Sequence, residues 1–471
     1  MVQPLPRFQL WIADTHQPRI RRKLVLRTTT KWQPQWSIAL LVVAILLTAC
    51  VAPSAPGDTA APADETIELT YLNGCFPSSI AVTDAMVAAF NETHPNVNVT
   101  VECAQGDYAE GIYARAAAGN LPDVMFSADL FTVPFVENGV LIDLEQFDEV
   151  DDSFTFDDVY ENILALGQVP GVDGTFMIPA SWDSVQMYYN KTLFEESGAP
   201  LPQDDWTWDD LIEACKTIQA ANETIYCIAN GGNDGWDWWA YFIPWIVGYG
   251  GQPVSEDFRT STFSTPESLA GIQAYVDQWT VHEVTIPLGV ELPGGRDGCF
   301  IGGNCATMFM IPGNMKTYRE QITDFEWDVA VAPRHPVNHA TGMGTYGYGI
   351  SKDSQHPQEA WELIKFLASQ QGQELILRNY SGMPLLKSMA DSPVFDELEP
   401  PPSNIRAFIR GGGVGIFPPM GYPSKCGSLY AGLINQTIRT ALEEAIREVK
   451  TVEQAFVDAD AEIQACLDTA E

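Results

Sequence analysis

The strongest constraint on the fold is a regular alternation of strands and helices that follows the first 66 residues. Residues 67–72 and 97–101 alternate apolar and polar side chains, which predicts two strands. Residues 80–91 and 108–118 have the apolar spacing of helices, and residues 122–126 form a third, short strand. This order implies a parallel sheet with right-handed crossovers. We therefore predict an α/β fold that binds its ligand beyond the carboxyl ends of the strands.

The rest of the chain continues the alternation and is too long for one compact domain. A length of 471 residues makes two lobes or two domains the expectation. Strands are predicted over residues 175–179, 184–189, 305–310 and 326–332, and helices over residues 211–220 (with Thr207 as the N-cap), 266–276, 358–369, 436–450 and 452–467.

The N-terminus is typical of a signal peptide that precedes a lipidated cysteine. Residues 38–47 form an apolar run of 10 residues, which follows a basic stretch and is too short to span a bilayer comfortably. The run ends at the sequence LTAC, residues 47–50, which resembles the bacterial lipobox, so we expect cleavage of residues 1–49 and lipidation of Cys50. Residues 51–66 are interpreted as a flexible tether. An ordinary secretory leader and a transmembrane anchor are the alternatives.

The remaining cysteines indicate an oxidising compartment. Their even number fits a disulfide framework, although eight cysteines allow 105 pairings. A zinc site is the alternative, but there is no C-x-x-C motif, and neither His335 nor His339 is near a cysteine. Pairing neighbours along the chain gives Cys75 with Cys103, Cys215 with Cys227, Cys299 with Cys305, and Cys426 with Cys466.

The charge of the chain excludes some partners. The net charge is −37, and because seven of the 25 basic residues but only one of the 62 acidic residues lie in the first 49, the rest carries −43. Nucleic-acid binding needs clustered Lys and Arg and is therefore not expected. The negative electrostatic field also disfavours binding to anionic membranes and to anionic ligands. The alternative is that the acidic surface serves solubility alone.

Sequence motifs of common enzymes are absent. The chain has no G-x-S-x-G, H-E-x-x-H, S-x-x-K or Walker A motif. Residues 342–347 match G-x-G-x-x-G, but the residues that follow predict a strand, whereas a phosphate site needs a helix N-terminus there. We expect no catalytic residues, no cofactor and no metal.

Aromatic residues beside short polar ones point to a sugar site. Trp236, Trp238 and Trp239 lie in a loop rich in Asn, Asp and Gly, and Trp182 precedes Asp183. Sugar rings pack on aromatic rings, and their hydroxyl groups need hydrogen-bonding partners such as carboxylates. The alternative is that these tryptophans belong to the core.

Three segments occur in an informative order: residues 173–179 with 188–194 (DGTFMIP and YYNKTLF), residues 206–211 (WTWDDL), and residues 349–354 with 358–367 (GISKDS and QEAWELIKFL). Together they resemble the extracellular solute-binding protein family 1 of ABC transporters, which contains maltose-binding protein. The resemblance covers about residues 67–471. Residues 382–384 (GMP) are similar to the family's G-x-x-P loop.

The resemblance implies a two-lobe periplasmic-binding-protein type II fold with the ligand in a cleft between the lobes. The first lobe is expected to contain residues 67–175 and 334–388, and the second residues 176–333 and 389–471. The family places an acidic residue for sugar hydroxyls at Asp183 and a stacking aromatic near Tyr422, with Phe76, Asp129, Gly313 and Tyr346 on cleft loops. A disulfide between Cys75 and Cys103 departs from the family pattern; it would stiffen the first cleft loop and displace Phe76.

The function implied is that of the substrate-binding component of an ABC uptake transporter. It captures a sugar or oligosaccharide by hinge closure. Its partners are the ligand, the permease subunits and, through the lipid alone, the cell membrane, and we expect a monomer. It is expected to be extracytoplasmic, at the outer face of the membrane or in a periplasm. The alternatives are another solute (a polyamine, a glycerol phosphate, a metal or a peptide), an exported glycosidase-like enzyme, or a surface lipoprotein that binds nothing.

Overall fold

The computed structural model describes residues 66–469, apart from residues 76, 106, 149–154, 170, 230–237, 417–421, 428 and 430–431. The strands are β1 Ile67–Asn73, β2 Val97–Cys103, β3 Val124–Ala128, β4 Ile178–Pro179, β5 Asp183–Ser184, β6 Gln186–Asn190, β7 Tyr226–Ile228, β8 Cys305–Met310, β9 Trp327–Ala330, β10 Thr341–Gly344, β11 Tyr346–Ile350 and β12 Gly415–Ile416. The helices are α1 Pro77–Thr93, α2 Tyr108–Ala118, α3 Asp129–Glu137, α4 Glu145–Asp148, α5 Glu161–Leu164, α6 Lys191–Ser197, α7 Trp208–Ala221, α8 Ile243–Gly248, α9 Pro266–Thr280, α10 Gly295–Ile301, α11 Met315–Gln321, α12 Pro357–Ala368, α13 Gln370–Arg378, α14 Val394–Glu397, α15 Ala407–Gly412, α16 Gly432–Ile446 and α17 Val452–Leu467. A π-helical turn, Trp238–Phe242, precedes α8.

The first sheet has the strand order β2-β1-β3-β11-β4. β1, β2 and β3 are parallel, which confirms the topology predicted from the strand–helix alternation, and β11 runs antiparallel to β3 and β4. Neighbouring side chains on β1 point to opposite faces. Tyr71 packs in the cluster formed with α1, α12 and α13, while Leu72 packs with α2 and α3. The sheet is therefore covered by helices on both faces.

The second sheet has the order β7-β8-β6-β9. β7 and β8 are parallel, and β6 is antiparallel to both β8 and β9. On one face Met187 and Phe309 pack against α7, α8, α9, α16 and α17; on the other, Tyr188 and Met308 pack against α10 and α11. Each sheet with its helices forms one lobe of an α/β protein. The exact lobe boundaries predicted from the sequence stay a prediction.

Short strands connect the two lobes. β5 pairs antiparallel with β10, and β12 pairs with the other side of β10. Two threonine hydroxyls fasten the pair: Thr341 donates to the carbonyl oxygen of Val185, and Thr345 donates to that of Ser181. The residues that follow the G-x-G-x-x-G match continue β11 to Ile350, which confirms the strand predicted there, and no helix begins at this point to hold a phosphate.

The start of α7 agrees with the sequence prediction, whereas the end of α16 does not. Thr207 caps α7 in a capping box with Asp210, which confirms the predicted N-cap. The prediction of one helix over residues 436–450 is wrong at its end, because α16 stops at Ile446. Glu448 has a left-handed φ of 56°, which a right-handed helix does not accept.

All four disulfides of the neighbour pairing are present: Cys75–Cys103, Cys215–Cys227, Cys299–Cys305 and Cys426–Cys466. Each joins two secondary structure elements, or the loops next to them, within one lobe. Among the residues from 66 onward that are described, no helix is both long and apolar enough to cross a membrane.

Candidate functional site

Polar loops meet at the carboxyl-terminal edge of the first sheet. The parallel strands β1, β2 and β3 end there at Asn73, Cys103 and Ala128. Because β11 is antiparallel, its first residue, Tyr346, pairs with Ala128 at this same edge. The ring of Tyr346 stacks on Phe126, with the centroids 5.6 Å apart. The loops after the strands and Tyr346 therefore share one edge, where an open sheet of this kind binds ligands.

The second sheet presents a corresponding edge. β8 ends at Met310, which pairs with Gln186 at the start of β6. The turn Pro312–Asn314 follows β8 and contains Gly313, which is buried. A β-carbon added to Gly313 would lie 3.6 Å from the carbonyl oxygen of Ser381. Gly313 is thus close to the polypeptide that follows α13.

Asp183 lies in the connection between these two edges. It belongs to β5, pairs with Gly344, and is only 7% exposed. Burial first, and then the Asp183 carboxylate, raise the pKa of Tyr346 to about 12. The same two causes raise the pKa of Tyr188 well above its usual value. A carboxylate therefore lies near two tyrosines at the junction of the lobes, and the ligand-binding roles of Asp183 and Tyr346 stay predictions.

A second group of polar residues at this junction was missed by the sequence analysis. The Tyr188 hydroxyl donates to the carbonyl oxygen of Ile311 at 2.9 Å, and its ring meets that of Tyr318 edge to face at 5.0 Å. Tyr318 donates to Asp297 at 2.6 Å, and Asn314 donates to the same oxygen at 3.4 Å. Asp297 lies in a glycine-rich stretch, and its partners Asn314 and Tyr318 are 17 and 21 residues away in sequence, so no local pattern marks it.

Trp182 lies in the core, on the opposite side of the strand from Asp183. It is 3% exposed, and its indole Nε1 donates to the carbonyl oxygen of Pro384 at 2.7 Å. A β-carbon on Gly412 would lie 2.2 Å from the ring, so this glycine allows the ring to pack closely against α15. Its ring therefore packs in the core, and a contact of Trp182 with a ligand stays a prediction.

Tyr422 lies in the core of the second lobe. Its ring meets Phe258 edge to face at 5.8 Å, and it is 6% exposed. Burial, with a smaller effect of Asp460, raises the pKa of its hydroxyl. The residues just before it are outside the described part of the chain, and its stacking on a ligand stays a prediction.

The remaining predicted site residues lie wholly or partly outside the described residues. Phe76 and Trp236 are not described, nor are the side chains of Asp129, Trp238 and Trp239. The backbone of Asp129 begins α3 directly after β3, at the edge of the first sheet. The backbone of Trp238 and Trp239 begins the π-helical turn, which packs against β10.

A buried histidine beside α7 and α8 was also missed. His335 packs between Trp208 and Trp245, with ring centroids 5.6 and 5.0 Å away. Neither of its ring nitrogens has a hydrogen-bond partner among the described residues. Burial first, and then nearby His339, lower its pKa to about 3, so the ring is neutral at ordinary pH. The surroundings of His335 come from residues distant in sequence, which no local pattern reveals.

Within the part of the chain that is described, no group of three or more His, Cys, Asp or Glu residues could hold a metal ion. What the junction offers chemically is recognition: carboxylate oxygens that accept hydrogen bonds, hydroxyl groups that donate or accept, and aromatic rings.

Known proteins share this fold. The chain is 24% identical over 379 residues to an uncharacterised lipoprotein of Streptomyces antibioticus, covering 70% of this chain and 72% of that one. A substrate-binding protein of Listeria monocytogenes in complex with cycloalternan has a TM-score of 0.72 at 22% identity, covering 86% of this chain and all of that one. UgpB from Mycobacterium tuberculosis in complex with glycerophosphocholine has a TM-score of 0.71 at 18% identity, covering 85% of this chain and 98% of that one.

The sequence model of one family matches most of the described chain. It is the family described as bacterial extracellular solute-binding protein, and the match extends over residues 77–374. This range contains α1, the connecting strands β5 and β10, and the whole second sheet. The match covers more than half of the 471 residues, and the two-lobe architecture agrees with it. The chain therefore belongs to the bacterial extracellular solute-binding protein family.

Proposed function

We propose that this protein captures a sugar or oligosaccharide for an ABC uptake transporter. The observation that carries the proposal is the position of Asp183, a 7% exposed carboxylate in the strand that connects the two sheet edges. A carboxylate at this position can accept hydrogen bonds from sugar hydroxyls on one side while contacts from the other lobe complete the site. Tyr346, stacked on Phe126, adds an aromatic surface at the same edge.

Charge supports a neutral ligand. Residues after the predicted cleavage site carry a net charge of −43, and two carboxylates, Asp183 and Asp297, lie near the tyrosines of the junction. Such a field opposes the approach of anions. The Listeria monocytogenes protein of the same fold binds cycloalternan, a neutral oligosaccharide, and this is in keeping with the proposal.

The wider role is also a proposal. Ligand contacts from both lobes favour a closed form, and the permease subunits of the transporter would recognise that form. No chemical step is assigned to the protein. Lipidation at Cys50, a tether over residues 51–66, an extracytoplasmic location and a monomeric state complete the proposal, and the Streptomyces antibioticus lipoprotein supports the lipid anchor.

One observation favours a second ligand class. Burial first, and then Asp297, raise the pKa of Tyr318 well above its usual value, and nearby Arg296 opposes this rise. A guanidinium beside the junction could pair with a phosphate group. UgpB, which has this fold, binds glycerophosphocholine, so a glycerophosphodiester is the alternative ligand.

The test is isothermal titration calorimetry with maltose, maltotetraose, cycloalternan and glycerophosphocholine. We expect binding of at least one neutral sugar, and we expect Asp183→Asn to raise the Kd about 10- to 150-fold, because a hydrogen bond to a charged group is worth about 1.5–3 kcal/mol. Asp173→Asn is the matched control, since it removes the same charge from an exposed residue. Binding of glycerophosphocholine alone, weakened by Arg296→Gln, would establish the alternative. Sugar binding that Asp183→Asn leaves unchanged would remove Asp183 from the site.

A further inference from the structure

The Cys75–Cys103 disulfide lies at the ligand-binding edge of the first lobe. Cys103 is the last residue of β2, and its register partner on β1 is Asn73, two residues before Cys75. The amide of Ala104 donates to the carbonyl oxygen of Asn73 at 3.0 Å. We call residues 74–75 and 103–105 the rim. The bridge therefore joins the last residue of β2 to the loop that follows β1.

This bridge is the most accessible of the four. Cys103 is exposed and Cys75 is half-buried. By contrast, Cys215, Cys227 and Cys305 are fully buried, Cys299 is 2% exposed, and Cys426 is fully buried beside a half-buried Cys466. Thiol–disulfide exchange requires a thiolate to reach a sulfur atom of the bridge. A reductant acting on the folded protein therefore reaches Cys75–Cys103 first.

The rim is held on its β2 side, where the amide of Ala104 bonds to Asn73 and its side chain packs against the cluster that contains Leu72. Cys75 has a φ of 51°, a left-handed conformation that costs free energy in a residue other than glycine. A cavity of about 140 Å³ is lined by Cys103, Ala104 and Gln105 of the rim together with Leu72 and Ile112, so the packing here is incomplete. The disulfide adds a covalent constraint that ties the strained conformation at Cys75 to the end of β2.

We propose that Cys75–Cys103 is a redox-sensitive brace of the binding edge. A dithiol reductant attacks one sulfur through its thiolate and forms a mixed disulfide, and its second thiol then closes the reductant's own disulfide. The protein gains two electrons and two protons and has two free thiols, while the dithiol is oxidised. The lobe stays folded, but the rim loses the covalent link between Cys75 and Cys103. Ligand affinity falls because binding must then order the rim; this last step rests on the proposed sugar-binding function.

The first experiment needs no ligand. The full chain, in detergent, is treated with increasing dithiothreitol at neutral pH, and free thiols are alkylated and located by mass spectrometry. We expect Cys75 and Cys103 to be labelled while the other six cysteines remain paired. Hydrogen exchange should then rise at least tenfold in peptides that contain the rim and stay unchanged in β6 and β8. Simultaneous reduction of all four bridges, or unchanged exchange at the rim, would overturn the proposal.

The second experiment measures affinity for maltotetraose by calorimetry. A Cys75→Ser, Cys103→Ser variant should bind about tenfold more weakly than the oxidised protein. The matched control is Cys215→Ala, Cys227→Ala, which removes a buried bridge between α7 and β7 and should lower the melting temperature with little change in Kd. Equal affinity in the serine variant and the oxidised protein would refute the brace. If the oxidised protein does not bind maltotetraose, the choice of sugar is wrong, and the labelling and exchange results decide on the brace alone.

Discussion

Replacing Trp182 by Phe tests whether this residue serves packing or ligand binding. The change removes the indole nitrogen that donates to Pro384 and leaves that buried carbonyl oxygen without a partner. An unpaired buried polar group costs about 1–3 kcal/mol. The smaller ring also leaves a void against Gly412, which adds about 1 kcal/mol. We expect Trp182→Phe to lower the free energy of unfolding by about 2–4 kcal/mol.

The assay is urea unfolding followed by both tryptophan fluorescence and far-ultraviolet circular dichroism, because coincident transitions are needed before one free energy is assigned. Trp279→Phe is the control: its indole donates to Ile286 at 3.0 Å, but the residue is only half-buried, so a loss of about 1 kcal/mol is expected. The Kd for sugar should be the same in Trp182→Phe and the unmodified protein. Weaker binding with an unchanged unfolding midpoint would show that Trp182 contacts the ligand and would refute its assignment to the core.

Two further predictions concern stability. His335 has a pKa of about 3 in the folded protein and an ordinary pKa of 6.5. Between these values the unfolded chain binds a proton that the folded chain does not. The free energy of unfolding therefore decreases as the pH falls from 6.5 towards 3, with a slope of at most about 1.4 kcal/mol per pH unit. His335→Phe should flatten this part of the pH–stability curve, and an unchanged slope would contradict the buried neutral ring. Asp460 accepts hydrogen bonds from the amides of Phe263 and Ser264 at 3.0 and 2.6 Å, so Asp460→Ala should cost about 2–3 kcal/mol in urea unfolding. Asp458 lies on the same helix, pairs with Lys450, and has a side chain that is 65% exposed. Asp458→Ala should therefore change the free energy of unfolding by less than about 0.5 kcal/mol, and similar losses at both positions would argue against the role of Asp460.

Features determined by neighbours in sequence could be predicted. Thr207 and Asp210 form their capping box within one turn of helix, and each disulfide joins cysteines that are adjacent in the order of the chain. The parallel topology of the first sheet follows from strand–helix alternation alone. The end of α16 could not be predicted, because residues 447–450 keep helical spacing, whereas Glu448 adopts a left-handed conformation before Thr451 caps α17.

The candidate site was only partly predictable, because it is assembled from distant parts of the chain. Asp183 and Tyr346 were predicted from the motif resemblance. The strand pairing that brings them together joins distant parts of the chain, which no local sequence pattern reveals. Trp182 and Asp183 are adjacent in sequence, yet strand alternation sends one into the core and the other towards the junction. Asp297 and His335 carry no local signal, since their surroundings come from Tyr318 in one case and from Trp208 and Trp245 in the other.

The position of β11 in the first sheet has a consequence for the order in which the chain can fold. β3 pairs with β11 along its whole length, from Val124 with Ile350 to Ala128 with Tyr346. During synthesis, residues 67–128 emerge early, but β3 keeps an open edge until the entire second sheet has been made and residue 350 has followed. An open edge is a site for aggregation and cannot close by local contacts. The first lobe therefore completes its sheet only after residue 350 has been made.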